Sequence, residues 1–324
     1  MKVTIKDIAR AAGVSHPTVS KALNGSPGVS HAVRQRILSI AEQMNYIPNQ
    51  AARRLADKQT QTIGLLWPKS EALFFHHLSL QIQQEAARRG LDVMISLADP
   101  PRGLRAFNEH FVDRIIFWSP PGWQPDLPFI QQKELFHGRM LLMGGGALKG
   151  THRISVDRSG AMYEAVCYLA ANGHRRITFI GDSHEKQLGF TKGILEQRME
   201  YHEHYVIAVK EGESFPEQRV AALLDSPNRP TAFIVDNQSF AFGLLKLFRD
   251  RELRMPDDYS LIVYDEIPEM QRLEIPVTTV GPPIGKLAAL ALSIIAGKEP
   301  QGQDDMANIE IKCELHVRKS TGRL

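Results

Sequence analysis

Apolar residues in the first sixty positions recur at three- and four-residue spacing, and beyond position 62 they collect in short unbroken runs. The first pattern predicts a helical head and the second an α/β body. In the head, Ile5, Ile8, Ala9 and Ala12 form one apolar stripe. Thr4 stands where the helix needs a cap, and Asp7, three residues on, can reach back to it or favour the helix's positive end. Gly13 breaks the stripe as a tight turn requires, and Val14 follows as a core residue. Ser15 caps a second helix, whose first turn accepts Pro17 because a missing N–H is harmless there. Val19, Ala22 and Leu23 give that helix its apolar face, and Asn24-Gly25 ends it. Ser30 opens a third helix with Val33, Ile37, Ile40, Ala41 and Met44 as its buried stripe.

Two short helices around a glycine turn make a helix-turn-helix. The outer face of the second helix carries Ser15, His16, Pro17, Thr18, Ser20 and Lys21, short polar or cationic side chains able to meet phosphates and base edges in a major groove. The same pattern also describes a plain three-helix bundle with a polar surface, so charge is informative. Residues 1–60 hold nine Lys/Arg against three acids, a net +6; the whole chain carries +3, which leaves −3 for the remainder. A basic head on a mildly acidic body suggests that the head meets a polyanion.

From Thr62 the runs read as strands with helices between most of them: 63–67, 92–97, 114–118, 139–143, 176–181, 205–209, 231–235 and 259–264. This alternation predicts parallel sheets covered by helices on both faces. The segment is too long for one such sheet, so two lobes are expected, with a ligand at the carboxyl ends of the strands in the cleft between them. The 324 residues are 43% hydrophobic, enough for sizeable cores. No run reaches the ~18 apolar residues of a membrane span, and the first residues lack the apolar stretch of a signal peptide. Cys167 and Cys313 are too few for a disulfide framework. A cytoplasmic protein is the expectation.

Candidate chemistry adds little. His202-Glu203-His204 places two imidazoles on one strand face without further ligands and reads as a solvated loop. His76-His77 opens a helix, where the two rings cannot point one way. Gly144-Gly145-Gly146 follows a strand but lacks a nucleotide fingerprint, and no GxSxG, HExxH or phosphate-loop motif occurs. No enzyme, cofactor or metal is expected.

The blocks Thr4-Ile5-Lys6-Asp7-Ile8-Ala9, Ala12-Gly13-Val14-Ser15, Thr18-Val19-Ser20-Lys21-Ala22-Leu23-Asn24 and Asn45-Tyr46-Ile47-Pro48-Asn49, in order and at family spacing, closely resemble the lactose-repressor (LacI/GalR) family. The resemblance implies a helix-turn-helix domain over 1–48, a hinge helix and linker over 49–61 and an effector-binding, dimerising core over 62–324. On the DNA side it points to Thr4, Ser15, His16, Pro17, Thr18, Ser20, Lys21, Asn24, Asn49, Ala52, Arg53 and Leu55. His16, Pro17 and Lys21 match the base-reading positions. The family usually has Arg where Lys21 stands; Lys acts as a point charge rather than a planar fork, which weakens guanine discrimination. Pro17 offers only apolar contact, for example with a thymine methyl. Residues 49–57 are too short a helix to stand alone. In the family such a hinge forms against its partner and the minor groove, and Leu55 matches the wedge into the central base step; otherwise the segment is an ordinary linker.

The core is similar to the same family, whose core resembles periplasmic sugar-binding proteins. The matching blocks are Phe74-Phe75, Asp157 with Gly160, 173–177, Gly189-Phe190, Asn237 with Ala241 and Gly243, Val263-Tyr264-Asp265, and 278–280. The implied lobes are roughly 62–157 plus 284–312 and 158–283 plus 313–324. The implied effector residues are Phe74, Phe75, Lys186, Phe215, Asn237 and Asp265. Phe74-Phe75 could equally be core, and Asn237 and Asp265 caps. Trp67-Pro68-Lys69 replaces the family's acidic residue near the first strand, Lys186 stands for a cleft Arg, and Asn237-Gln238 for an Asn-Asp pair. The expected partners are a pseudo-palindromic operator in double-stranded DNA, a second copy of the chain, and a small effector, a sugar or sugar derivative. A non-sugar metabolite or a protein co-effector is the alternative. No membrane is expected.

Overall fold

A computed structural model describes residues 3–23, 25–46, 61–210, 213–297 and 306–324. The chain divides into two units, Met1–Thr60 and Gln61–Leu324. Asn24 and the hinge segment 49–57, with Asn49, Ala52, Arg53 and Leu55, lie outside the described residues.

The head comprises α1 (Ile5–Ala12), α2 (His16–Leu23) and α3 (His31–Gln43). Thr4 and Asp7 make the capping box their spacing predicts: the Thr4 N–H and hydroxyl donate to the Asp7 carboxylate at 2.9 and 2.6 Å. These bonds hold the Asp7 carboxyl below its usual pKa. Gly13 takes a left-handed φ of 65° to end α1, which a side chain would resist. Ser15 accepts the Thr18 N–H at 3.4 Å and Ser30 accepts that of Val33 at 3.4 Å, so both later helices start on hydroxyl caps. Ile8, Val19 and Ile37, all fully buried, form the centre of the head's small core.

The second unit begins with β1 (Thr62–Leu66), α4 (Leu73–Arg88), β2 (Asp92–Ser96), α5 (Pro100–Glu109), β3 (Arg114–Ser119), α6 (Leu127–Leu135), β4 (Arg139–Gly144) and β5 (His152–Asp157). It continues with α7 (Arg158–Ala171), β6 (Ile177–Gly181), α8 (His184–Glu196), a 3-10 turn Glu203–Tyr205, β7 (Val206–Ala208), α9 (Glu217–Leu224), β8 (Ala232–Val235) and α10 (Gln238–Asp250). Last come β9 (Ser260–Tyr264), α11 (Pro268–Arg272), β10 (Thr278–Gly281), α12 (Ile284–Ile295), β11 (Asn308–Lys312) and β12 (Glu314–His316).

The strands form two six-stranded sheets, in the orders β11-β5-β4-β3-β1-β2 and β12-β10-β9-β8-β6-β7. Among the described residues every pairing is parallel except β10 with β12. In the first sheet, alternate residues serve opposite faces, as the two-residue strand period dictates. Ile63, Leu65, Ile116 and Leu141 pack with α4 and α12, while Leu66, Ile115, Phe117 and Leu142 pack with α5 and α6. The second sheet is likewise covered by α9 and α10 on one side and α7 and α8 on the other. Here α7 and α8 cross closely: a Cβ on Gly189 would stand 2.0 Å from the Ser159 carbonyl oxygen. Among the described residues the chain passes between lobes after β5, after β10 and between β11 and β12. Side-chain links also join the lobes: His77 of α4 bonds the Glu269 carboxylate of α11 at 2.8 Å, Lys286 of α12 donates to Glu314 of β12 at 2.6 Å, and Arg158 reaches both the Gly144 carbonyl and Glu185.

The structure differs from the sequence expectation at the weaker strands. The run 205–209 contracts to β7, because Tyr205 turns inward to hydrogen-bond the Asn228 carbonyl at 2.7 Å. Strands β5, β10, β11 and β12 carry too mixed a side-chain pattern, or are too short, to stand out in the sequence. No helix among the described residues is long and apolar enough to cross a membrane.

Candidate functional site

The head offers one face with the chemistry of a nucleic-acid interface. Ser15, His16, Pro17 and Lys21 are exposed on and just before α2, and Thr18 and Ser20 are half-buried behind them. The Ser15 and Thr18 hydroxyls lie 2.8 Å apart and brace the first turn of the helix. Val19 and Ala22, on the opposite side, are buried against α1 and α3, so the exposed row is held by a packed core rather than by a loop. Thr4 is exposed, with its hydroxyl engaged by Asp7. The α2–α3 loop is tied down by Arg34, whose guanidinium donates to the Ser26 carbonyl. The arrangement presents short donors, an imidazole, an apolar ring and an ammonium on one rigid helix, which suits reading a groove.

In the second unit, strand ends from both lobes converge on a cavity of ≈ 110 Å³. The first lobe contributes Phe74, Phe75, Trp118 and Val156. Arg158, at the crossing after β5, and Lys186, Tyr264 and Asp265 of the second lobe complete the walls. Four of the six expected effector residues, Phe74, Phe75, Lys186 and Asp265, therefore come together. Phe215 and Asn237 do not line the cavity. Phe215 packs against α10, where a Cβ on Gly243 would come within 2.4 Å of its ring. Asn237 caps α10 by accepting the Phe240 N–H at 3.0 Å and donates to Asp236 at 2.9 Å.

The rings of Phe74 and Phe75 meet Trp118 edge-on, at 5.2 and 5.3 Å between centroids. Trp67 stands behind them: its indole N–H donates to Ser79 at 2.7 Å, and the Ser79 hydroxyl donates to the Phe75 carbonyl at 2.7 Å. The substitution at Trp67 thus braces the aromatic wall and supplies no ligand group.

The polar wall is built around buried charges. Lys186 donates to the Asp236 carbonyl at 2.6 Å and its ammonium lies 3.7 Å from the Tyr264 ring centroid, a cation–π contact. The fully buried Asp236 carboxylate accepts the N–H groups of Asp182 and Ser183 at 2.8 and 3.1 Å. Burial, together with the neighbouring Asp236 charge, pushes the Asp182 carboxyl up to about 6. Burial pushes Asp265 up to about 6 as well, against the opposing pull of Lys186 and Arg158. Asp265 also sits at a positive φ of 79°, fixed by its N–H bond to the Val280 carbonyl at 3.0 Å. A non-glycine residue there is uncommon and marks a position that the surroundings over-determine. Gln238, where the family pair has Asp, is buried with its carbonyl oxygen lacking a partner among the described residues.

Trp118, Arg158, Asp182 and Asp236 were not singled out by sequence reasoning. Each lies at or just beyond the carboxyl end of a parallel strand, the place where such folds bind ligands, and that rule applied strand by strand would have found them. Among the described residues no group of three or more His, Cys, Asp or Glu is placed to hold a metal ion.

Comparison with known proteins agrees with both units. The profile described as "Bacterial regulatory proteins, lacI family" matches residues 4–49, and that of a periplasmic binding protein-like domain matches residues 166–321. Catabolite control protein A of Priestia megaterium is 26% identical over 336 residues, spanning 99% of this chain and 100% of that protein. Among solved structures, the lac repressor dimer bound to operator and the anti-inducer ONPF superimposes with a TM-score of 0.81 at 23% identity, covering 99% of this chain and 100% of the other. The complex of the transcriptional regulator CelR with cellobiose gives 0.64 at 22% identity, covering 98% and 100%.

Proposed function

The chain belongs to the lacI family of bacterial regulatory proteins, and from that premise we propose how its parts work. The protein is a DNA-binding transcription regulator and not an enzyme. Two copies bind one pseudo-palindromic operator, because doubling a small recognition unit roughly doubles its contact free energy. Each head lays α2 in the major groove. His16, Pro17 and Lys21 face base edges, while Ser15, Thr18, Ser20 and Thr4 position the helix on the backbone. Asn24, Asn49, Ala52 and Arg53 add contacts, and Leu55 wedges the central step. The work is done in the cytoplasm. The observation that carries this reading is the exposed row of Ser15, His16, Pro17 and Lys21 on a helix whose other face is packed on the head's core.

The interlobe cavity takes a small effector, and its binding shifts the lobes and thereby the operator affinity. Phe75 and Trp118 offer apolar ring faces, and Asp265, Lys186 and Arg158 offer hydrogen bonds, a combination suited to a sugar or sugar derivative. A second reading, a non-sugar metabolite or a protein co-effector, is favoured by one feature: the Trp67 substitution leaves the first strand end without the family's acidic group. Selection of duplexes from a random pool with the full chain should enrich a two-fold symmetric site, and Lys21→Ala should weaken that preference. A pool that enriches no motif would sink the DNA-reading assignment. A thermal-shift screen of sugars, sugar phosphates and nucleobases separates the two effector readings: stabilisation by a sugar that Asp265→Ala abolishes supports the first.

A further inference from the structure

A cavity larger than the interlobe cleft lies elsewhere in the second unit. It lies at the far edge of the second sheet, and at ≈ 540 Å³ it is about five times the size of the ≈ 110 Å³ cleft cavity. That volume is in the range of small-molecule sites, ~300–1,000 Å³. No residue lines both cavities.

The floor is apolar and held in place. Tyr205 is 2% exposed, Ile207 and Leu223 are buried, and the Tyr205 hydroxyl is fixed on the Asn228 carbonyl at 2.7 Å. Around this closed floor Val206 is half-buried and Ala222 and Pro227 are exposed, so the cavity leaves apolar surface open to solvent, an arrangement that gains free energy when an apolar body covers it. Two polar groups on the wall are incompletely used. The Ser226 hydroxyl oxygen is buried and has no hydrogen-bond partner among the described residues. The Arg219 guanidinium bonds the Ala208 carbonyl at 2.7 Å but stands 4.0 Å from its acidic neighbour Glu213, the outer limit of an ion pair. Glu203 also lines the cavity, but its side chain is 85% exposed, so water screens its charge. The wall therefore has a cation and, just beneath its surface, a spare hydroxyl beside an apolar floor.

β7 is the edge strand of its sheet. A peptide adding a strand there would want the Ala208 carbonyl, which Arg219 already occupies. The small-molecule reading is the better fit.

We propose that this cavity is a second ligand site, separate from the interlobe cleft, for a small ring-bearing carboxylic acid. The ring covers Val206, Ala222 and Pro227 above the Tyr205 floor, and the carboxylate pairs with Arg219 and accepts the Ser226 hydroxyl, which rotates outward to meet it. Charge-assisted Arg–carboxylate bonds of this kind are short and directional.

The test uses the full chain with 3-phenylpropionate and its neutral counterpart 3-phenylpropionamide, followed by saturation-transfer NMR titration. The acid should bind with a Kd of about 1 mM or tighter, as its size allows, and the amide at least tenfold more weakly. Arg219→Met should weaken the acid at least tenfold. Ala222→Trp, at an exposed position of the wall, should fill the cavity and abolish binding while circular dichroism stays unchanged. Ser226→Ala should weaken binding severalfold, which keeps the test informative if the tryptophan variant misfolds. Asp265→Asn, in the interlobe cleft, should leave the acid's affinity unaltered. Absence of binding at 5 mM probe, equal affinity for acid and amide, or loss of binding in Asp265→Asn but not in Arg219→Met would each overturn the proposal.

Discussion

Replacing Ile37 by Ala should unfold the DNA-binding head at temperatures where the core stays folded. Ile37 is fully buried at the centre of the head, facing Ile8 and Val19. The change removes three carbons, worth about 2.4 kcal/mol of transfer free energy at ~0.8 kcal/mol each. The residual cavity adds to this, so the expected cost is about 3 kcal/mol, within the ~2–5 kcal/mol of such truncations. A unit this small rarely has more than ~3–5 kcal/mol of stability in all. With a starting value of about 4 kcal/mol, about 1 kcal/mol remains, and roughly five heads in six are folded at 25 °C. Binding draws on the folded fraction, so operator affinity at 25 °C should fall less than about twofold per head. The melting temperature of the head should fall by about 12–24 °C, at ~4–8 °C per kcal/mol. The assay is fluorescence anisotropy of a labelled operator at 25 and 40 °C, alongside calorimetric melting of the full chain. The variant should bind nearly as wild type at the lower temperature and poorly at the higher one, with the core transition unmoved. A head transition within about 5 °C of wild type, or a core transition that shifts with it, would refute the claim that Ile37 holds an independently stable unit.

Three further outcomes follow from individual residues. Folding raises the Asp265 carboxyl from 3.8 to about 6, so the folded state holds the proton more tightly; stability is complete below about pH 4 and is lost as pH rises towards 6. Asp265→Asn, which tolerates the positive φ, should therefore raise the core melting temperature at pH 7.5 and change it little at pH 4.5; an equal gain at both would show that the charge is not the cause. Gly189→Ala forces a Cβ onto the Ser159 carbonyl and should cost the core about 1–3 kcal/mol by overpacking, read as an earlier urea midpoint, whereas an unchanged midpoint would mean that α7 and α8 separate freely. Lys21→Ala should reduce discrimination between operator and random duplex by about 1–3 kcal/mol, measured by competition anisotropy; uniform weakening with a flatter salt slope would instead make Lys21 a phosphate contact.

Local order in this chain is written locally. The capping box of Thr4 and Asp7, the Gly13 turn and the Ser15 and Ser30 caps are contacts between residues three or four apart, so side-chain type and spacing determine them before any tertiary contact exists. The buried strands β1, β3, β4, β8 and β9 were legible for a related reason: sheets covered on both faces demand unbroken apolar runs. The fold class and the DNA-reading face follow from these signals and from the family resemblance. Strands β11 and β12 needed the structure. They are short, lie at sheet edges with mixed side chains, and join different lobes although one residue separates them. The effector cleft needed it too. Trp118, Arg158, Lys186 and Asp265 are spread from position 118 to 265, and only the meeting of strand ends from two lobes brings them around one cavity. Asn237, one position from Asp236, turned out to cap a helix while Asp236 is buried behind Lys186, because the end of β8 points one side chain inward and leaves the next to start α10. Side-chain direction at a strand end is set by register and crossover, which are long-range properties. The sequence by itself therefore determined the helical head, the buried strands and what the head can do; only the tertiary structure decided where the short edge strands pair and which distant side chains share a pocket, because that depends on loop closure and packing rather than on neighbours along the chain.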